Sequence, residues 1–158
     1  AQPTGPSGML VLIAQSVPTA AQVPCVRSLP AGWTLANVSA NSGRSVLTLD
    51  HDRAGMGAVV AELTAGCDPG DAGEIEASLP DVRRYQRMEP TSPRVTIVRF
   101  DVFAGGCLTI RLLAPPEHVA PLTAELSRLL GYTSRSALQL ILNERSDGRL
   151  QLDPTGPR

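Results

Sequence analysis

The sequence predicts an α+β domain in which an antiparallel sheet of about five strands, a meander plus a hairpin, is packed by two C-terminal helices. Residues 33–65 alternate apolar and polar side chains between turns rich in Asn, Gly and Ser. A second alternating pair, RVTIVRFDVF and CLTIRLLA, flanks the loop AGG. Beyond residue 115 the apolar period changes from two to three and four, which is the helical signature. Strands followed by helices segregate into an antiparallel sheet with helices on one face.

Length and composition bound the function. A chain of 158 residues with 42% hydrophobic content is long enough for one core, and 18% charged residues is too few to force disorder. The net charge of −1 argues against a phosphate-backbone binder, so nucleic acid is not expected as a partner. Every basic residue is arginine, whose planar fork holds carboxylates or phosphates with two hydrogen bonds. At 3% aromatic content, a stacking platform for sugars or bases is disfavoured.

The elements follow in order. Residues 1–24 read as a flexible Pro/Gly/Ser lead-in, AQPTGPSG, and an apolar segment, MLVLIA. That run is too short to span a bilayer by itself, so it is either a strand or buried segment, or the outer end of a membrane anchor. A single domain is expected over residues 25–153 and a tail over 154–158. In the meander, WTLANVSA turns at NSGR into SVLTLDHD, which turns near RAGM into AVVAELTA. Val38 is expected opposite Leu47 and Ala36 opposite Leu49, with Val59, Ala61 and Leu63 continuing the core face. Residues 67–93 read as a long excursion with a short helical or extended piece. The second hairpin is expected to use a three-residue loop with Phe103 opposite Cys107, because Val102, Phe100 and Val98 then meet Leu108, Ile110 and Leu112 on one apolar face. A first helix is expected from near His118, with Pro121 in its first turn and Gly131 as its stop. A second follows Ser134 as N-cap and ends at Asp147-Gly148. RLQLD would add an edge strand.

The three cysteines, Cys25, Cys67 and Cys107, have neither CxxC spacing nor enough histidines near them for zinc. Three pairings are open. The Gly-preceded strand ends at Cys67 and Cys107 favour that pair as a disulfide over three unpaired buried thiols.

The expected hairpin register sets Arg99 directly opposite Arg111 on the non-core face, where like charges are destabilising unless something neutralises them. The ordinary answer is an internal carboxylate such as Asp101 or a glutamate of the excursion. The functional one is an anion- or partner-binding site, joined by Arg83, Arg84 and Arg87. In Asp50-His51-Asp52 the carboxylates and the imidazole point to opposite faces of a strand, so His51 reads as structural, near Val59. His118 reads as an exposed polar residue beside a helix start. Asp68, Asp71, Glu74 and Glu76 lack the EF-hand order. Asn37-Val38-Ser39 matches the glycosylation sequon by letter only. No nucleophile motif, phosphate loop or dinucleotide fingerprint is present, so no catalytic residue, no metal and no cofactor is expected.

The spacing VPTAAQVPC, LPAGW, a central cysteine, RFDVFAGGCLTIRL, LGYTSRSAL and SDGRLQLDP resembles uncharacterised actinobacterial membrane-anchored proteins with one extracytoplasmic domain, over residues 17–154. The resemblance implies that MLVLIA is the outer end of an anchor, although a full spanning segment is missing; it implies no activity. The expectation is an extracytoplasmic binding or protein-interaction domain, more a binder than an enzyme, whose partner is an unknown protein or an anionic small ligand. Its membrane contact would run only through the N-terminal anchor. The alternative is an enzyme or enzyme accessory acting on an anionic cell-envelope substrate through the arginine face. A third reading is a structural domain that self-associates through an exposed sheet edge.

Overall fold

A computed structural model describes residues 6–77, 79–146 and 152. The chain runs α1 (Pro6–Ser16), β1 (Gln22–Val26), β2 (Trp33–Asn41), β3 (Arg44–His51), β4 (Gly55–Thr64), β5 (Gly73–Ile75), β6 (Arg83–Thr91), β7 (Arg94–Phe103), β8 (Gly106–Ala114), α2 (Pro116–Leu129), β9 (Leu130–Ser134) and α3 (Arg135–Ser146). The main sheet has seven antiparallel strands in the order β2-β3-β4-β8-β7-β6-β5, and β1 pairs with β9 in a separate two-stranded sheet. The architecture is α+β and antiparallel, with seven strands where about five were expected.

The meander follows its alternation. Val38 lies opposite Leu47, and Leu47, Val59, Ala61 and Leu63 are buried on the face toward the helices. One correction applies at Ala36, which bulges out so that Leu35, rather than Ala36, pairs with Leu49. The bulge restores an apolar side chain to the inner face.

The excursion is corrected more heavily. Residues 83–91 form β6, a full-length partner of β7, and β5 pairs with β6 at the far edge. After β4 the chain crosses the outer face of the sheet to reach that edge, and the Cys67–Cys107 disulfide (Cα–Cα 5.9 Å) fastens the crossing at its start. Beneath it Val98, Phe100 and Cys107 form a small second core with Cys67, Ala72, Tyr85 and Val102.

That second core explains the next correction. The β7–β8 turn has two residues, pairing Phe103 with Gly106, Val102 with Cys107 and Arg99 with Ile110, one step away from the expected register. Val98, Phe100 and Val102 therefore face the crossover, while Ile97, Leu108, Ile110 and Leu112 face the helices. A strand pair buried on both sides carries no one-sided pattern from which register can be read. Gly105 (φ +69°) makes the tight turn, and its Cα sits so close to the chain at Thr19 that a Cβ would lie 1.8 Å from the Thr19 oxygen. Thr19 Oγ1 donates to the Gly105 carbonyl, and the Ala21 amide donates to that of Ala104.

The apolar run MLVLIA, expected as a strand, a buried segment or the outer end of an anchor, is packed into the core. Residues 9–14 lie in helix α1, neither in a strand nor outside the domain: Leu10, Ile13, Ala14 and Val17 are buried at helical spacing, and Leu12 is exposed. Arg135 Nη1 donates to the Ala14 carbonyl at 2.9 Å, satisfying a group that the helix end leaves open. Val23 and Cys25 of β1 join the same core, so the packed unit starts at α1 rather than at residue 25. Among the described residues no helix is long and apolar enough to cross a membrane.

At the other end α2 starts at Pro116, ahead of His118, and Pro121 sits inside it rather than in its first turn. The helix closes at Leu129 because Leu130 is already extended, so the expected stop, Gly131, is part of strand β9 instead. Ser134 Oγ accepts the Ala137 amide at 3.1 Å, an N-cap for α3. α1 lies against β1–β3, α2 against β7–β9 and α3 against β9. The end expected for the second helix, the edge strand over residues 149–153 and the tail lie outside the described residues, apart from Leu152. Its amide donates to Gln139 Oε1.

Candidate functional site

The five arginines singled out from the sequence do not form one face. Pairing places Arg84 beside Asp101 and Gln86 beside Arg99 on the inner face, whereas Arg83, Arg87 and Arg111 point outward. Arg99 and Arg111 are therefore not opposite one another: Arg99 faces Ile110 and Arg111 faces Val98 and Val60. Most of the charges are met internally. Arg83 makes two hydrogen bonds to Glu74 of the excursion, and that pairing lowers the Glu74 carboxyl below its ordinary range. Arg87 pairs with Glu89 at 2.6 Å and its guanidinium stacks over Phe100. Arg111 is exposed.

The inner pair builds a buried polar cluster. Arg84 holds the fully buried Asp101 through Nε to Oδ1 at 2.7 Å and Nη2 to Oδ2 at 2.9 Å, a bidentate fork. Tyr132 Oη donates to Oδ2 at 2.6 Å, while its ring meets Phe103 edge-on. Arg99, 6% exposed, donates from Nε to Gln86 Oε1 at 3.0 Å. The hydrogen bonds from Arg84 to Asp101 raise the Arg84 pKa. Burial, then the neighbouring Arg84 charge, lowers that of Arg99. Burial, with the Asp101 carboxylate behind it, pushes Tyr132 well above the usual phenol. This cluster docks the small sheet onto the large one, and its groups are turned toward each other.

A cleft of about 320 Å³ opens at the end of the main sheet, lined by Ala31, Gly32, His51, Asp52, Arg53, His118, Pro121, Leu122 and Glu125. His51 pairs with Gly55 across the β3–β4 turn, while Val59, its expected neighbour, pairs with Leu49. The imidazole is nearly buried at 9% exposure, edge-on to Trp33 with ring centroids 4.6 Å apart. Its Nδ1 accepts the Arg53 amide at 3.1 Å, so in the neutral ring Nε2 carries the hydrogen. Nε2 lies beside Gly32 (φ +95°), where a Cβ would approach it to 3.0 Å. Across the cleft, Glu125 Oε1 accepts Trp33 Nε1–H at 3.2 Å.

His118, Pro121, Leu122 and Glu125 fall at i, i+3, i+4 and i+7 on α2, one stripe of the helix. That spacing was legible in the sequence, but His51 arrives from a strand end and their meeting was not. The cleft offers two imidazoles, the Glu125 carboxylate and the charged turn Asp52-Arg53; among the described residues no serine, threonine or cysteine lines it.

No known protein family, curated protein or solved structure matches this chain. What the molecule does has to be read from its own geometry. Among the described residues no cluster of His, Cys, Asp and Glu could hold a metal ion. In the acidic stretch Asp68 Oδ1 instead accepts the Gly70 amide in a turn. Cys25 is a free, buried thiol. The disulfide is compatible with an oxidising compartment outside the cytoplasm.

Proposed function

We propose that the chain is an extracytoplasmic binding domain whose ligand, a small polar molecule or a side chain of a protein partner, enters the cleft between His51 and α2. The observation that carries this reading is the composition of the cleft. It joins imidazole, carboxylate and guanidinium groups around a concave space, a set that can hold a small polar ligand by hydrogen bonds and charge. The placement outside the cytoplasm rests on the disulfide.

The protein carries one tryptophan, and it touches His51 and Glu125 of the cleft. Intrinsic fluorescence therefore reports occupancy directly. Titration with a panel of small polar compounds and short peptides is expected to change Trp33 emission for at least one compound, with His118→Ala weakening that response and no compound being turned over. A flat response across the panel, or a response indifferent to His118→Ala and Arg53→Ala, overturns the reading.

A second reading is favoured by one feature. His51, His118 and Glu125, which all line the cleft, are groups of the kind used in general acid–base chemistry. Turnover of an envelope-derived substrate that disappears with His118→Ala would make the protein an enzyme. Arg83, Arg84 and Arg87 are each held by a carboxylate of the same chain, so this reading places the chemistry at the histidines of the cleft.

A further inference from the structure

A second concavity, a groove of about 350 Å³, lies where the chain leaves β1 beside the end of α2, lined by Arg27, Ser28, Ser127 and Arg128. Both arginines are exposed, and among the described residues neither forms an ion pair. An obvious duty for them would be to cap the carboxyl end of α2, whose last carbonyls carry partial negative charge. That duty is largely taken by other donors: the Leu130 amide bonds to the Leu126 carbonyl, Ser28 Oγ to that of Arg128, and the Arg27 backbone amide to that of Leu129. The guanidinium groups are left over.

The stem of Arg27 also packs against the chain. It lies across Gly131 so closely that a Cβ there would fall 2.2 Å from Arg27 Cδ and 2.8 Å from Cγ. Gly131 is an ordinary strand residue paired with Cys25, so no special backbone conformation asks for glycine at this position; the passing arginine does. A side chain whose stem is packed loses less freedom when its head binds.

We propose that Arg27 and Arg128, with the hydroxyl of Ser127, form a phosphate-binding groove. Two guanidinium forks and the Ser127 hydroxyl exceed what the two oxygens of a carboxylate can accept, and suit the additional oxygens of a phosphate. The phosphate can be free or carried on a phospholipid headgroup; Leu29, 47% exposed, stands next to the groove as an apolar neighbour for the latter. The groove and the His51 cleft have no lining residue in common, so either assignment can fail without the other.

The test uses inorganic phosphate, phosphatidylglycerol vesicles and phosphatidylcholine vesicles as probes. Inorganic phosphate is expected to shift the backbone resonances of residues 27, 28, 127 and 128 in a titration followed by NMR. Arg27→Gln with Arg128→Gln, both at exposed positions, is expected to weaken binding at least about tenfold, the scale of a lost charge-assisted hydrogen bond. Gly131→Ala removes no charge; by displacing the Arg27 stem it is expected to weaken binding while the unfolding midpoint stays near that of the parent. Arginine-dependent binding to phosphatidylglycerol vesicles, and not to free phosphate or phosphatidylcholine, would assign the phosphate to a lipid headgroup and equally supports the groove. The proposal is overturned if neither phosphate probe binds, or if the double arginine variant binds as the parent does. Unaltered binding by Gly131→Ala overturns the packed-arginine geometry.

Discussion

Tyr132 donates its hydroxyl to Asp101 at 2.6 Å across 31 residues of sequence, joining the two-stranded sheet to the seven-stranded one through a carboxylate that is fully buried. Asp101 in turn neutralises Arg84, so three strands meet at one polar point in the interior. A buried charge of this kind is costly when a partner is removed, because the remaining ion cannot recover its hydration.

Asp101→Ala strands Arg84 beside Arg99 and is expected to destabilise the fold by about 3–5 kcal/mol. Tyr132→Phe leaves the Arg84–Asp101 pair intact and should cost less, about 1.5–3 kcal/mol, the range for a hydrogen bond to a charged group. Urea unfolding of both variants checks the order. A smaller loss for Asp101→Ala than for Tyr132→Phe would place the weight of the cluster elsewhere.

The same tyrosine sets an alkaline limit. Its pKa in the folded chain is raised well above 10.0, so the folded state holds that proton more tightly than the unfolded one. The sign follows: the contribution is complete below about pH 10, the ordinary phenol value, and is lost as pH rises from there through the folded pKa. Unfolding midpoints between about pH 9 and 11.5 should fall for the parent and fall less for Tyr132→Phe. Parallel curves would remove Tyr132 as the cause.

Denatured without reductant, the protein should show one reactive thiol, Cys25, and after reduction three. The bridge spans 40 residues, so loop-closure entropy alone makes Cys67→Ser with Cys107→Ser destabilising by roughly 4 kcal/mol. Three thiols without reductant would mean the bridge is absent in solution.

Two glycines with positive φ separate backbone conformation from contact. Gly43 (φ +88°) has open space around it, so Gly43→Ala should cost about 1–2 kcal/mol for the left-handed backbone alone. Gly105 (φ +69°) abuts the Thr19 carbonyl, and Gly105→Ala should cost clearly more because the α1–β1 linker must move. Equal midpoints for the two variants in thermal unfolding would show that the linker yields freely.

Legibility in the sequence tracked burial on one side. Strands β3 and β4 bury their inner faces at Leu47, Leu49, Val59, Ala61 and Leu63, and their alternation gave those faces directly. Strand β6, RRYQRMEPT, has no such alternation because Arg84 and Gln86 fill inward positions with an ion pair and a hydrogen bond, so it read only as part of a long excursion with a short helical or extended piece. Strand β7 is buried on both faces and read one register off, which carried the arginine pairing with it.

By itself the sequence determined the α+β class, the meander and the Ser134 cap, all of which depend on side-chain period or on neighbours close along the chain; the Cys67–Cys107 bridge, 40 residues apart, it only favoured among three pairings. The tertiary structure decided that Arg84 and Arg99 turn inward while Arg83, Arg87 and Arg111 turn outward, that α1 completes the core, and that His51 and His118 share a cleft. Those outcomes depend on what lies across each strand and over each face, where the deciding neighbour is distant in sequence and leaves no periodic trace.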